Sequence, residues 1–292
     1  MTTKNYGLSV RDKLRNLVTE DNNYQQLLIR YMHERLLYRL SRSRYNDNFV
    51  LKGGALLFVH ERFLARPTID IDFLGERISR DQDTIKNAFI EILSQPCPED
   101  GVVFDTDEDS IVVEDIILDR EYNGVKLKFT GHLDTVVQKL SMDIGFGDIV
   151  VPSPEKLDYQ PMIEGMPGFA INAYSLETVV AEKFQTMMAR SLANSRMKDF
   201  YDIYNILRHQ MLDPEMLDSA IQEVLRNRDT VYIENHPVLQ ESFRKDEQRS
   251  RMWDAFLKKM KIKDGPSFES VMRVIVFTLG PKWEEYGKSL QQ

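Results

Sequence analysis

The spacing of apolar residues divides the chain into regions of different period. Along "YQQLLIRYMHERLLYRLSRS", Leu27, Leu28, Tyr31, Leu36, Leu37 and Leu40 recur at steps of three and four, which predicts an amphipathic helix. "SRYNDN" then breaks the pattern with turn-forming residues. "FVLKGGALLFVHERFL" is a short apolar run, a glycine pair and a predicted helix. "TIDIDFLG" alternates as a strand does, with Asp70 and Asp72 on one face and Ile69, Ile71 and Phe73 on the other. A further helix is expected at "SRDQDTIKNAFIEILSQ", with Ser79 or Asp81 as its N-cap.

Beyond Gly101 the β-branched content rises, and "GVVFD", "SIVVEDII", "GVKLKFTGHL" and "QKLSMDIGFGD" read as strands of a mixed sheet. Pro152, Pro154, Pro161 and Pro167 mark the following stretch as a surface connection or domain boundary, and the pattern after it is mainly helical. The expected organisation is N-terminal helices over 1–46, an α/β core over 47–151 and a helical domain over 152–292.

Composition narrows the setting. The chain has 292 residues, enough for one large domain or two smaller ones. No apolar run approaches the roughly 20 residues of a membrane-spanning helix, and the polar first residues lack a signal-peptide core. One cysteine, Cys97, excludes an internal disulfide and suits a reducing compartment, so a cytoplasmic location without membrane partners is expected. The net charge of −8 argues against a wholly basic surface for nucleic acid. Locally, residues 244–263 hold eight basic and three acidic residues, which leaves open either a solvated mixed-charge helix face or a polyanion-binding surface.

Two positions apart on a strand, Asp70 and Asp72 project side by side and repel each other when ionised. A hard divalent cation such as Mg²⁺ or Mn²⁺ removes that cost. Gly53 and Gly54 allow a phosphate to approach the backbone at the start of a helix, and Lys52 adds positive charge. Taken singly, a glycine pair also serves a turn, and D-x-D also serves a solvated strand face. Asp143 reads either as a third carboxylate on an adjacent strand or as a strand-end turn residue, whereas Asp148, after Gly147, reads as the turn residue. In "SLETVVAEKFQTMMAR", Ser175 is the expected N-cap, and Lys183 borders a stripe of Leu176, Val179, Val180, Phe184 and Met187. Lys183 either reaches across an interface or snorkels into water. Arg196, Asp199 and Asp202 fall at three-residue steps, a spacing suited to ion pairing.

Together, "FVLKGGALL", "RPTIDIDFLG", "DIGFGDIVVPSP", "AYSLETVVAEKFQTM" and "NSRMKDFYDIYNI" resemble the AbiEii/AbiGii toxin family, which includes the MenT toxins, within the DNA polymerase β-like nucleotidyltransferase superfamily. The resemblance implies an α+β fold, with a polymerase β-like core of mixed sheet and flanking helices plus a helical C-terminal domain. It implies metal binding by Asp70 and Asp72 with Asp143 assisting, and phosphate binding by Gly53, Gly54, Lys183, Lys52 and Arg66. Lys183 matches the lysine of the family's K-x-x-A motif, although Thr186 stands in place of the alanine. Asp199 matches a functional aspartate acting as a base or as the group that orients Lys183. The implied reaction takes an NTP with Mg²⁺ or Mn²⁺ and transfers NMP to an acceptor hydroxyl, in some relatives the tRNA 3′ end. The implied biology is that of a type IV toxin paired with a winged-helix antitoxin that need not touch it. Modification of a protein hydroxyl, and an inactive interaction protein of the same fold, are the other classes the residues leave open.

Overall fold

The computed structural model describes residues 5–20, 22–62, 65–119 and 122–291. Phe63 and Leu64, at the end of the helix expected after the glycine pair, lie outside the described residues. The chain divides into two compact units: Met1–Gly147 with Pro154–Tyr174, and Asp148–Ser153 with Ser175–Gln292.

The first unit holds helices α1 (Tyr6–Asn16), α2 (Tyr24–Ser41), α3 (Gly53–Glu61) and α4 (Gln82–Leu93). Its strands are β1 (Phe49–Lys52), β2 (Asp70–Gly75), β3 (Val102–Phe104), β4 (Val112–Asp119), β5 (Tyr122–Leu133), β6 (Val136–Phe146), β7 (Glu155–Tyr159) and β8 (Phe169–Ala173). They form one sheet in the order β3-β5-β6-β2-β1-β8-β7, with β4 also paired to β5. The pairs β2–β6 and β1–β8 are parallel, and the others are antiparallel. Alternation along β2 buries Ile71 and Phe73 completely. Phe73 meets Phe49 edge to face, and Phe49 in turn meets Phe89 of α4. Asp81 is the N-cap of α4, accepting from Thr84 N–H.

Two expectations change. The proline-marked stretch after residue 151 carries β7 and β8, so it is not a plain connection. Its strands fit between the prolines because β7 spans five residues at the edge of the sheet, where a proline-bounded strand is tolerated. The sheet unit therefore runs to Tyr174, and the N-terminal helices pack within it as part of the same body. Second, α2 is buried nearly all round instead of along one stripe. Arg30, His33, Glu34, Arg35 and Arg39 lie inside with its leucines. Burial of such charges requires pairing. Arg35 meets Glu34 at 2.7 Å, Arg39 meets Asp100 at 2.7 Å, and Arg30 donates to Asn22 and to Ala65 O, both at 2.8 Å.

The second unit is helical: α5 (Leu176–Arg190), α6 (Met197–His209), α7 (Pro214–Asn227), α8 (Glu241–Arg244), α9 (Glu247–Met260) and α10 (Phe268–Ser289). Its core gathers Phe184, Phe200, Phe243, Trp253, Phe268 and Trp283. Both indoles are satisfied, Trp253 by Pro266 O at 2.7 Å and Trp283 by Ile233 O at 3.0 Å. Among the described residues, no helix is long and apolar enough to cross a membrane.

Asp100 also accepts from Val102 N–H at 2.9 Å, which fixes the start of β3. Asp100→Ala leaves Arg39 buried and uncompensated. Chemical denaturation is expected to show a loss of about 3–5 kcal/mol in unfolding free energy.

Candidate functional site

The sheet register aligns charged residues from four strands. Asp72 of β2 stands opposite Lys52 of β1 on one side and Asp143 of β6 on the other. Asp143 in turn faces Lys126 of β5. Directly opposed residues share a face of the sheet, so Lys52, Asp72, Asp143 and Lys126 form a row, with Asp70 and Ser141 paired in the next one. The third-carboxylate reading thus places Asp143 beside Asp72, and the structure brings these two together. Lys126 Nζ lies 2.6 Å from Asp143 Oδ1, and Ser141 Oγ donates to Asp70 Oδ1. Partial burial pulls the Lys126 ammonium down. The nearby Asp143, with Asp70 and Asp72 beyond, outweighs that and holds it above an ordinary lysine, so it is charged.

The glycine pair has a steric reason. Gly53 adopts φ +69°, and a Cβ there would lie 2.1 Å from Asp72 Oδ2. A Cβ on Gly54 would lie 2.9 Å from Thr68. Only glycine lets α3 begin flush against the Asp72 carboxylate. Lys52 occupies the N-cap with extended backbone and no side-chain capping bond, and the first turn carries no acidic residue. The positive pole of α3 therefore faces the Asp72 carboxylate without an acidic residue of its own first turn. The Lys52 ammonium sits 5.4 Å from the centre of the Tyr174 ring. Arg66 has its Nη1 3.5 Å from Pro67 O, a contact local to the loop before β2. Behind the dyad, the buried His33 of α2 is neutral: desolvation pulls it down to about 4, although Asp70 and the Ile69 backbone act the other way.

The donor set suits one hard cation. Asp70 and Asp72 share a face of the sheet, and a divalent ion held there would need water or phosphate oxygens for the rest of its shell. Among the described residues, no three His, Cys, Asp or Glu side chains converge closely enough to hold a metal, and Asp143 is engaged by Lys126.

In the helical unit, Ser175 caps α5 by accepting from Thr178 N–H. Lys183 Nζ lies 2.8 Å from Asp199 Oδ1 and 2.8 Å from Asp202 Oδ2, and only 13% of its side chain is exposed. It is a largely buried cation held by two aspartates and does not snorkel. Arg196 Nε meets Asp199 Oδ2 at 2.5 Å, the i,i+3 pair expected from spacing. Burial pushes the Asp199 carboxyl up, but the charges of Lys183 and Arg196 win and hold it well below the usual carboxylate range. With both oxygens occupied and so little proton affinity, Asp199 is suited to orienting Lys183 and ill suited to act as a base. Asp202, which helical spacing marks for ion pairing, is the second carboxylate on Lys183, and Lys126 joins the row through its pairing with Asp143. A three-residue step flags Asp202, but only strand pairing reveals Lys126. Asp148 does more than turn the chain: it pairs at 2.7 Å with Arg228, which also meets Glu182 at 3.0 Å.

The basic stretch is mostly neutralised where it stands. Arg244 and Lys245 pair with Glu241, Arg249 with Asp246 and Arg251 with Glu247. Lys258, Lys259, Lys261 and Lys263, at the end of α9 and just past it, are exposed. The mixed-charge helix face therefore describes its first half.

Gly53→Ala must adopt a left-handed backbone that disfavours L residues by about 1–2 kcal/mol, and it must displace Asp72. Denaturation midpoints are expected to fall accordingly. For Asp199, the unfolded carboxyl titrates near 3.9 while the folded one titrates lower, so its contribution is present above about pH 4 and lost as pH falls through the folded value. Asp199→Asn is expected to cost about 3 kcal/mol at pH 7. In denaturation series at stepped pH, the gap to the native protein is expected to narrow from pH 4 towards pH 2.

A family model described as "Nucleotidyl transferase AbiEii toxin, Type IV TA system" matches residues 35–284. Among solved structures, JHP933 from Helicobacter pylori is 13% identical at a TM-score of 0.49, over 92% of this chain and 96% of its own. An H. pylori protein described as a candidate nucleotidyltransferase is 13% identical at a TM-score of 0.47, over 93% of this chain and 98% of its own. An antigenic nucleotidyltransferase-like protein from Paracoccidioides brasiliensis is 12% identical at a TM-score of 0.33, over 82% of this chain and 93% of its own. Comparison with curated proteins gives no match. With the family match running from within α2 into the last turns of α10, the chain belongs to the AbiEii nucleotidyltransferase toxins of type IV toxin–antitoxin systems.

Proposed function

We propose that this nucleotidyltransferase moves a nucleoside monophosphate from an NTP to a hydroxyl at the 3′ end of an RNA, with tRNA as the acceptor class. The observation that supports it best is the seat of Gly53 against Asp72, which sets an anion-binding helix start directly beside a carboxylate pair. Asp70 and Asp72 would hold Mg²⁺ or Mn²⁺. When bound, such an ion neutralises triphosphate charge and polarises the reacting phosphoryl group. The first amides of α3, with Lys52, Gly53 and Gly54, bind phosphate oxygens, and Arg66 is a further candidate for them. Ser141 fixes the Asp70 carboxylate by donating to it. The acceptor oxygen attacks the α-phosphorus in line, its proton passes to solvent, and pyrophosphate leaves from the opposite side.

Lys183 acts through a fixed positive charge, with Asp199 and Asp202 as its orienting groups. The four exposed lysines near the end of α9 are the part of the basic stretch suited to an RNA backbone. Acceptor and nucleotide pools place this activity in the cytoplasm. The antitoxin is proposed to be a separately folded winged-helix protein that acts without needing to touch the toxin.

Incubation of the purified protein with each labelled NTP, Mg²⁺ or Mn²⁺, and total RNA or total protein tests the reading. Label is expected in RNA, with Asp72→Asn and Lys183→Met each reducing it by about 100-fold or more. Label in protein alone would replace the RNA acceptor. Incorporation unchanged by Asp72→Asn would remove the site assignment.

A further inference from the structure

Arg30 is a buried cation of α2 that the proposed chemistry does not use. It is 4% exposed and bridges two distant pieces of chain. Nη1 donates to Asn22 Oδ1 and Nη2 to Ala65 O, both at 2.8 Å. The guanidinium also lies 4.6 Å from the centre of the Phe58 ring of α3. The carbonyl it holds belongs to the planar peptide that joins Ala65 to Arg66. On the other side of Arg66 stands Pro67, and a proline restricts the residue ahead of it to extended backbone. The backbone of Arg66 is therefore constrained from both sides. Two residues on, Thr68 donates Oγ1 to Asp70 O at 3.0 Å and fills the space that a side chain on Gly54 would need. That contact sets the segment carrying Arg66 against the start of α3.

Building on the phosphate role proposed for Arg66, we infer that Arg30 is a positioning residue for it: from α2, Arg30 fixes the peptide leading into Arg66, so that the Arg66 guanidinium meets the phosphates of an NTP from a backbone already in place. A guanidinium suits the task because its planar fork reaches Asn22 and Ala65 together, a geometry that a lysine ammonium does not reproduce. Loss of Arg30 leaves the charge of Arg66 intact and frees its backbone, and ordering the loop then offsets part of the gain from the phosphate contact. Arg30 stands ahead of residues 35–284, so this anchor comes from outside the part of the chain matched to the family.

Equilibrium dialysis of each labelled NTP against the full chain, with Mg²⁺ and no acceptor, tests the inference as a double-mutant cycle. Arg66→Ala is expected to weaken binding of the tightest NTP by about tenfold or more. Arg30→Met is expected to weaken it by about threefold or more, and the double variant to bind within about twofold of Arg66→Ala alone. A general loss of packing would act by the same factor in both backgrounds. Binding by Arg30→Met as tight as that of the unmodified protein, or an effect that multiplies with that of Arg66→Ala, would overturn the role of Arg30 and leave Arg66 in the site. Unchanged binding by Arg66→Ala, or no NTP binding by the unmodified protein, would remove Arg66 from the phosphate site and the inference with it. Where melting curves show Arg30→Met to be unfolded, Arg30→Lys, which keeps the charge and loses the fork, takes its place in the cycle with the same outcomes.

Discussion

Repulsion among carboxylates held in register is the constraint around which the sheet unit is arranged. Asp70 and Asp72 share a face because of the strand period, and the parallel pairing of β2 with β6 sets Asp143 next to Asp72. An unrelieved cluster of this kind would oppose folding. The surroundings supply relief from several sides: the Lys126 ammonium, the Ser141 hydroxyl, and the N-terminal pole of α3 brought close by glycine. A row of charges at one end of a sheet is thereby made compatible with a dry opposite face of Ile71, Phe73, Met142 and Ile144.

The helical unit solves a different problem with similar means. Lys183, Arg196, Asp199 and Asp202 bring two charges of each sign into a largely buried place. Partners satisfy each other there, and neither oxygen of Asp199 is left idle. Such an arrangement holds one ammonium in a single position. In the same unit Arg228 binds residue 148 to α5, which explains why a short piece before β7 belongs with the helices and not with the sheet.

Local pattern made much of this legible. Alternation located β2 and β6, the Asp81 and Ser175 caps marked helix starts, and Asp199 with Arg196 followed from helical spacing. What escaped depends on distant partners. Nothing near Lys126 indicates that strand pairing will set it across from Asp143. The charges along α2 read as solvent-facing until Asp100 and Ala65, far along the chain, are seen to satisfy them. Prolines hid β7 and β8, whose partners fix them more firmly than their own composition. The glycines were legible as glycines, but the carboxylate that requires one of them was not.

The alternation of β2 and β6 also makes the apolar face a ruler for the polar one. Met142 and Ile144 flank Asp143 in sequence, as Ile71 and Phe73 flank Asp72, and each set points away from the charges it accompanies. A slip of one residue between these strands would carry oil to the charged face and aspartates into the core. Tight packing of four apolar side chains is therefore what calibrates the distance between carboxylates that they never touch. Inactivity after a change in that core would report lost alignment as readily as lost stability.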